Sequence, residues 1–547
     1  MRFRSKAALF LLTLFLIITV ASVRNGDLFF QIKKNLTIFS DVYKEIATLY
    51  VDEVSPQTVM RHAIDAMLET LDPYTVFVGE GEQQEVEMLS TGNYGGIGIE
   101  AGYRGDRVVV IAPLEGYPAQ RAGILPGDVI ININGINTSG LNAEEVQQLT
   151  IGEVGSSITI TIDRYGIDRP LEFELERERI EIRNISFASL IGDEKNIAYV
   201  HLSKFGQNTA EELRQSLIEF SEKTELRGII LDLRNNPGGL LTEAVEVVDK
   251  FIEPGVMVVE TRGRLQEQSN MFMTDEPPLF GELPLIILQN EGSASASEIV
   301  SGALQDVDRA VIIGEKSFGK GLVQIIRPLS YNTSLKLTVS RYYIPSGRSI
   351  QSVDYKSDGI EDGETDTENQ RRSFLTRNGR TVYDGQGVDP DMEIETARPS
   401  FSEIALKQNN HAFFFINEYV NTNPDGGIEL PESIFDDFVS YLERQDFDYT
   451  TPADQYLEAL SNQSHLYSNP AMVEEQLDKV RQTLQTDKKQ NLADSRDTIL
   501  KMLQTELISR KLGRTDRQEA LLKMDSYVLE AIWLLNEPEK YKAVLKP

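Results

Sequence analysis

From residue 28 onward, Ile32, Leu36, Phe39, Val42, Ile46 and Leu49 recur every three or four positions, the spacing of one apolar helical face. A second helical stretch follows Pro56 with Val59, Ala63, Met67 and Leu71. It is predicted to stop at Leu71-Asp72-Pro73-Tyr74, because the proline bars Asp72 from the helical region. Six glycines fall within the fourteen positions from Gly92 to Gly105, interleaved with Ile97 and Ile99, which suits a strand entered through a backbone-rich loop. Short strands are predicted at 108–111, 129–133 and 158–162, broken by Leu125-Pro126-Gly127-Asp128 and Asn134-Gly135 turns. After Glu178 strands and helices alternate: strand 197–202, helix 209–223, strand 228–233, helix 240–252, strand 285–288, helix 297–305. That alternation predicts an α/β core. Residues 352–369 are acidic and nearly free of apolar side chains, the composition of a surface insertion. Beyond Ser400 the pattern is helical again through 472–486, 489–511 and 516–535, with the single tryptophan, Trp533, expected in core packing.

The first residues add an address. Arg2, Arg4 and Lys6 precede a charge-free run from Ala7 to Val23, with a small-residue cleavage site near Ala21. The run lies between signal and span lengths, so it predicts either a cleaved export signal or an uncleaved anchor, with the bulk of the chain outside the cytoplasm. The expected organisation is 1–24 signal or anchor, 25–88 N-terminal helical region, 89–177 a β-rich module, 178–400 an α/β core and 401–547 a C-terminal helical region.

Composition narrows the chemistry. With 54 Lys and Arg against 85 Asp and Glu among 547 residues, the net charge of −31 argues against a nucleic-acid surface. No cysteine is present, so disulfides and thiolate chemistry are excluded. The four histidines, His62, His201, His411 and His465, are scattered without an HExxH pair, which disfavours a His-rich metal centre and a Ser-His-Asp triad. His201 lies in a core strand, where a structural or substrate-lining role is expected. No metal or cofactor is called for.

Three stretches carry candidate chemistry. Gly292-Ser-Ala-Ser-Ala-Ser-Glu-Ile299 follows an apolar strand and opens a helix, where a serine gains exposure and nearby backbone N–H groups, although an ordinary serine N-cap has the same composition. In Ser317-Phe-Gly-Lys-Gly-Leu-Val-Gln324 a lysine sits between glycines, and a lysine serves as general base where burial lowers its pKa. In an extended segment Lys320 and Gln324 share a face. In Asp232-Leu-Arg-Asn-Asn-Pro-Gly-Gly239 a buried strand meets a turn whose glycines allow close approach to a substrate carbonyl. It matches neither nucleotide-binding glycine pattern.

Together with Leu71-Asp-Pro-Tyr74, Tyr94-Gly-Gly-Ile-Gly98, Phe318-Gly-Lys-Gly321 and the stretch from Tyr342 to Gln351, these motifs resemble the carboxy-terminal processing, or tail-specific, proteases. They occur in that family's order from about residue 30 to 395. The resemblance implies a multidomain α+β protein: an N-terminal helical segment, a PDZ domain over 89–177, a ClpP/crotonase-like α/β serine peptidase core over 178–400 and a C-terminal helical region. It implies Ser295 as nucleophile, Lys320 as general base and Gln324 as the residue holding the lysine, with Ser293 and Ser297 in support. Glu298 and Asp306 are second-rank acidic candidates. The oxyanion donors would be the N–H of Ala296 and of Gly238 or Gly239, a choice the sequence leaves open. Tyr94, Gly95, Gly96, Ile97 and Gly98 would receive a peptide's C-terminal carboxylate beside a strand open to β-augmentation.

The expected activity is peptide-bond hydrolysis through an acyl-enzyme, on protein substrates with exposed C-terminal tails, in the periplasm or cell envelope, with membrane contact through the N-terminal apolar segment. A Ser/Lys pair needs neither His nor Cys, which agrees with the composition. The competing reading, a scaffold with a vestigial peptidase, would be marked by loss of the serine or lysine, and neither is lost. Residues 401–547 are expected to serve either as a platform for an adaptor or second copy, or as a clamp on access to the site.

Overall fold

The computed structural model describes residues 29–80, 93–104, 107–181, 183–353, 371–394 and 399–547. The expected signal or anchor and most of the acidic 352–369 stretch lie outside the described residues. The chain divides into two compact units: residues 1–80, 324–338 and 354–363 form one, and 81–323, 339–353 and 364–547 the other.

In the smaller unit a helix over 29–49 precedes the helix Pro56–Glu69. Ser55 caps the second helix, its Oγ accepting from Thr58 N–H, and Pro56 occupies the first turn, where its missing N–H is harmless. The helix ends before Asp72-Pro73 as the sequence predicts. Asp72 folds the following turn by accepting from the N–H groups of Tyr74 and Thr75 at 2.9 and 3.0 Å. The strand Val76–Val78 then pairs antiparallel with residues 334–336.

The larger unit is organised by a six-stranded sheet in the order Ile185–Ile191, Ile197–Leu202, Gly228–Asp232, Leu285–Gln289, Val311–Gly314, Met392–Glu393, parallel apart from the first strand. Side chains alternate across it. Ala198, Val200, Ile229, Leu231, Leu285 and Ile287 face the helices Thr209–Lys223, Leu241–Asp249 and Ala296–Asp306. Ile197, Tyr199, Ile230, Ile286, Leu288 and Ile313 face Val528, Ala531, Leu534, Leu535 and Tyr541. A parallel sheet is buried on both sides, and here the C-terminal helices Ser526–Asn536 and Pro538–Val544 form the second cover. The tail of the expected C-terminal region therefore packs as a layer of the α/β core. Tyr541 reinforces it, its hydroxyl meeting both N–H and C=O of Leu285 at 3.0 Å.

Trp533 departs from its expected core position. The buried face of its helix carries Val528, Ala531, Leu534 and Leu535, which leaves Trp533 41% exposed with the Lys540 ammonium 4.5 Å from its ring. The remaining C-terminal helices enclose a separate core of Leu406, Phe415, Ile434, Phe438, Ile499 and Leu503 among others. From this helical module Arg510 stacks on Phe413 at 4.2 Å, and a side chain on Gly127 of the β-module would collide with its guanidinium.

The β-module contains a five-strand path, Ile99–Arg104, Arg107–Pro113, Val129–Ile133, Ser157–Asp163, Leu171–Glu176, with Ile99–Arg104 at the edge. Its core includes Val108, Val110, Ile130, Ile133, Ile158 and Ile160. Asn142 and Glu145 cap the helix Ala143–Thr150 reciprocally, and Arg177 donates to the carbonyls of Leu149 and Thr150 at its end.

The cover on the second sheet face generates a contrast. Leu534→Ala is expected to lower unfolding free energy by about 2–5 kcal/mol, whereas Trp533→Ala stays below about 1 kcal/mol, as for a surface site. Urea unfolding followed by circular dichroism measures both.

Candidate active site

The strand Leu285–Gln289 is fully buried and delivers a loop at the end of the sheet, from which the helix Ala296–Asp306 starts. Ser295 stands at the N-cap with φ 57° and ψ −112°, a conformation disfavoured for a residue with a Cβ. Its neighbours are committed elsewhere. Ser293 Oγ donates to the Leu233 carbonyl at 2.7 Å and Ser297 Oγ to the Asn236 carbonyl at 2.9 Å, both buried. Ser295 is half-buried and so is the serine of this stretch with an approachable side chain.

The glycine turn closes against this loop. Asn236, fully buried, donates to the Leu202 carbonyl at 2.7 Å, accepts from Gly238 N–H at 2.9 Å through Oδ1, and accepts from Ala294 N–H at 3.0 Å through its carbonyl. Gly238 comes so near that an added Cβ would lie 2.9 Å from Ser295 Cβ, and its φ of 101° also calls for glycine. The Gly238 N–H is thus engaged by Asn236, while among the described residues the N–H groups of Gly239 and Ala296 have no acceptor. At the base of the turn burial opposes the charge of Asp232. Hydrogen bonds and charge from Arg234 nevertheless hold its carboxyl below the usual range, and Tyr199 donates to it at 2.7 Å.

Glu298 joins the serine to the lysine segment. Its carboxylate is fully buried and accepts four hydrogen bonds: from Ser295 N–H at 2.8 Å and Lys320 N–H at 2.9 Å on one oxygen, and from Gly319 N–H and Ser317 Oγ at 2.6 Å each on the other. Burial pushes its pKa up to about 7 against these donors. Tyr342 adds a second brace, its hydroxyl shared between the carbonyl of Ser295 at 3.0 Å and that of Lys320.

The sequence ranks Glu298 second and assigns Tyr342 no role, yet the two brace the site. The spacing Ser295-Ala-Ser-Glu298 is that of a capping box, a legible signal for the first of them. Asp306 lies at the other end of the same helix, about 16 Å along its axis, in a fully buried ion pair with Arg348 at 2.9 Å. Burial raises its pKa, partly offset by that arginine. In the smaller unit Gln324 donates through Nε2 to Thr338 Oγ1 at 3.2 Å, and Thr338 donates on to Asp72 at 3.1 Å. His201 is bonded through its ring to Ser186 Oγ at 2.5 Å.

In the β-module a cavity of about 450 Å³ lies between the edge strand Ile99–Arg104 and the helix Ala143–Thr150, with Ile97, Ile99, Ala101, Val108, Ile130 and Val146 among its lining. Tyr94, Gly96 and Gly98 belong to the same lining. Gly95 stands outside the lining, its carbonyl accepting from Gly152 N–H at 3.0 Å. Residues 93–96 pair with 178–181, so the loop proper is Ile97-Gly98, whose carbonyls accept from Ala119 and Leu114 N–H and whose own N–H groups have no acceptor among the described residues.

Known families account for three parts of this architecture. Residues 196–361 match "Peptidase family S41", 109–164 match "PDZ domain" and 402–535 match "Probable PDZ-protease, C-terminal helical domain". A carboxy-terminal-processing protease of Bartonella bacilliformis is 40% identical over 323 residues, 58% of this chain and 73% of that protein. A Staphylococcus aureus protein named "Probable CtpA-like serine protease" is 31% identical over 70% of this chain and 74% of its own length. Among solved structures, the photosystem II D1 C-terminal processing protease is 26% identical, covering 66% of this chain and 92% of that chain, with a TM-score of 0.37. The 40% identity over 73% of the Bartonella relative carries one assignment: this chain belongs to peptidase family S41, the carboxy-terminal-processing serine peptidases with a PDZ domain.

Proposed function

We propose that the chain is an exported endopeptidase that receives protein C-terminal tails in its PDZ groove and hydrolyses peptide bonds with Ser295 as nucleophile and Lys320 as general base. The observation that carries this reading is the shared Glu298 carboxylate, which binds the backbone N–H of both residues. Ser295 Oγ attacks the scissile carbonyl while the neutral Lys320 amine takes its proton. The oxyanion is received by Ala296 N–H, at the helix start, and by Gly239 N–H, because Gly238 already donates to Asn236. The lysine ammonium then protonates the departing amine, and water, deprotonated by the same lysine, releases the acyl group.

Gln324 holds the lysine in this scheme, as the resemblance to the family implies. The unengaged N–H groups of Ile97 and Gly98 support capture of a tail carboxylate, and the open edge Ile99–Arg104 supports pairing with an extended peptide. Export to the periplasm or cell envelope, with membrane contact through the N-terminal segment, rests on the basic start and the charge-free run from Ala7 to Val23.

The decisive test incubates purified wild type and Ser295→Ala with an unstructured reporter ending in small apolar residues, followed by mass spectrometry. Ser295→Ala and Lys320→Ala are each expected to lose cleavage while retaining fold and tail binding. Cleavage by either at the wild-type rate refutes the pair.

Glu298→Gln is expected to lower kcat at least about 100-fold, since whichever way the amide turns its NH2 faces a backbone N–H, leaving a buried donor unpaired. The same residue predicts a pH dependence of folding. Its folded-state value, about 7, lies above the ordinary 4.5, so its contribution to stability is full below pH 4.5 and is lost as pH rises through about 7. The urea midpoint of wild type relative to Glu298→Gln should therefore rise as pH is lowered from 7 to 4.5, and a constant difference would contradict it.

A further inference from the structure

The segment that carries Lys320 is held at every backbone polar group. Gly319 donates to Glu298 and its carbonyl accepts from Ser352 N–H at 2.9 Å and Ser352 Oγ at 3.1 Å. Lys320 donates to Glu298 and accepts from Tyr342. Gly321 donates to Gln351 Oε1 at 2.7 Å, and its carbonyl accepts from Tyr342 N–H at 3.0 Å. Two of these six groups, the Gly319 carbonyl and the Gly321 N–H, depend on the 351–352 segment. Contact there is tight: a Cβ on Gly321 would lie 2.9 Å from the Gln351 backbone nitrogen.

Gln351 is itself fixed. It is nearly buried, its Nε2 donates to the Val353 carbonyl at 3.0 Å, and that bond leaves Oε1 as the end facing Gly321. Three residues earlier, Arg348 is fully buried and binds Asp306 at 2.9 Å, Gln305 Oε1 at 2.7 Å and the Tyr383 carbonyl at 3.0 Å. Ser346 N–H reaches the same Asp306 at 2.9 Å. The 346–352 segment is therefore anchored to the last turn of the helix whose N-cap is Ser295 and whose first turn bears Glu298. One helix thus fixes the nucleophile directly and, through its far end, the brace on the lysine.

We propose that Gln351 is a positioning residue for the general base: it holds Gly321 and thereby sets the direction in which Lys320 leaves the backbone. This rests on the Ser295/Lys320 reading. The side-chain oxygen of Gln351 touches no reacting atom, so its removal acts on turnover and leaves substrate binding alone.

The test uses the full chain and the same reporter. Gln351→Leu removes the acceptor at similar volume, and Gln351→Glu retains an acceptor toward Gly321 N–H. Gln351→Leu is expected to lower kcat about 10- to 100-fold with KM unchanged within about twofold, the response to a displaced reacting group. Gln351→Glu, which keeps the acceptor toward Gly321 N–H but turns a carboxylate oxygen to the Val353 carbonyl in place of Nε2, is expected to recover part of the kcat lost in Gln351→Leu, which a general packing role would not produce. If thermal melting shows Gln351→Leu unfolded, Gln351→Asn, which withdraws the amide by one methylene, carries the same expectation. A folded Leu or Asn variant with the wild-type kcat overturns the proposal, as does a Glu variant no better than Leu. Ser295→Ala and Lys320→Ala run alongside: if they are inactive while Gln351→Leu is fully active, only this inference fails. If they remain active, the Ser/Lys reading fails and this one falls with it.

Discussion

A single buried carboxylate governs the geometry of this site. Removing a charge from water is unfavourable, and Glu298 is tolerated in the core because four donors converge on it. The donors are the informative part. Two are the backbone N–H groups of Ser295 and Lys320, residues far apart in sequence, so satisfying the carboxylate and aligning the two candidate catalytic residues are the same event. The strained backbone of Ser295 is maintained by the same arrangement, with Gly238 and Asn236 on its other side.

The rigidity behind that carboxylate comes from a sheet buried on both faces. Strands such as Leu285–Gln289 and Gly228–Asp232 are apolar without alternation because helices cover each side. Both strands end at the site, one feeding the serine loop and the other the glycine turn. The last helices of the chain supply one of the two covers, so the C-terminus belongs to the support of the active site as much as to the helical module before it. Arg234 strengthens that link, binding Asp232 beneath the glycine turn and Asp525 at the start of the covering helix.

Much of this was legible from residue order. Hydrophobic periodicity located the core strands and helices to within a few residues, and the stop at Asp72-Pro73 followed from proline sterics. The serine, the lysine and the glycine turn each stood out as candidates by local composition, while their roles came from the resemblance carried by the motifs in order. What failed was anything that depends on which face of an element is covered. Trp533 reads as core by spacing, and the packing of 526–544 onto the sheet is not visible in the helical pattern, because periodicity gives a face without naming its partner.

The sequence by itself determined the succession of elements, the family and the candidate pair Ser295 and Lys320, since each follows from local pattern or from motifs in order. The tertiary structure decided that Glu298 and Tyr342 join that pair, that Gly238 is engaged while the Gly239 N–H has no acceptor among the described residues, and that Asp306 braces Arg348 far from the serine. These outcomes rest on hydrogen bonds between residues distant in the chain. Which donor meets which acceptor is set only when the sheet brings its strand ends together.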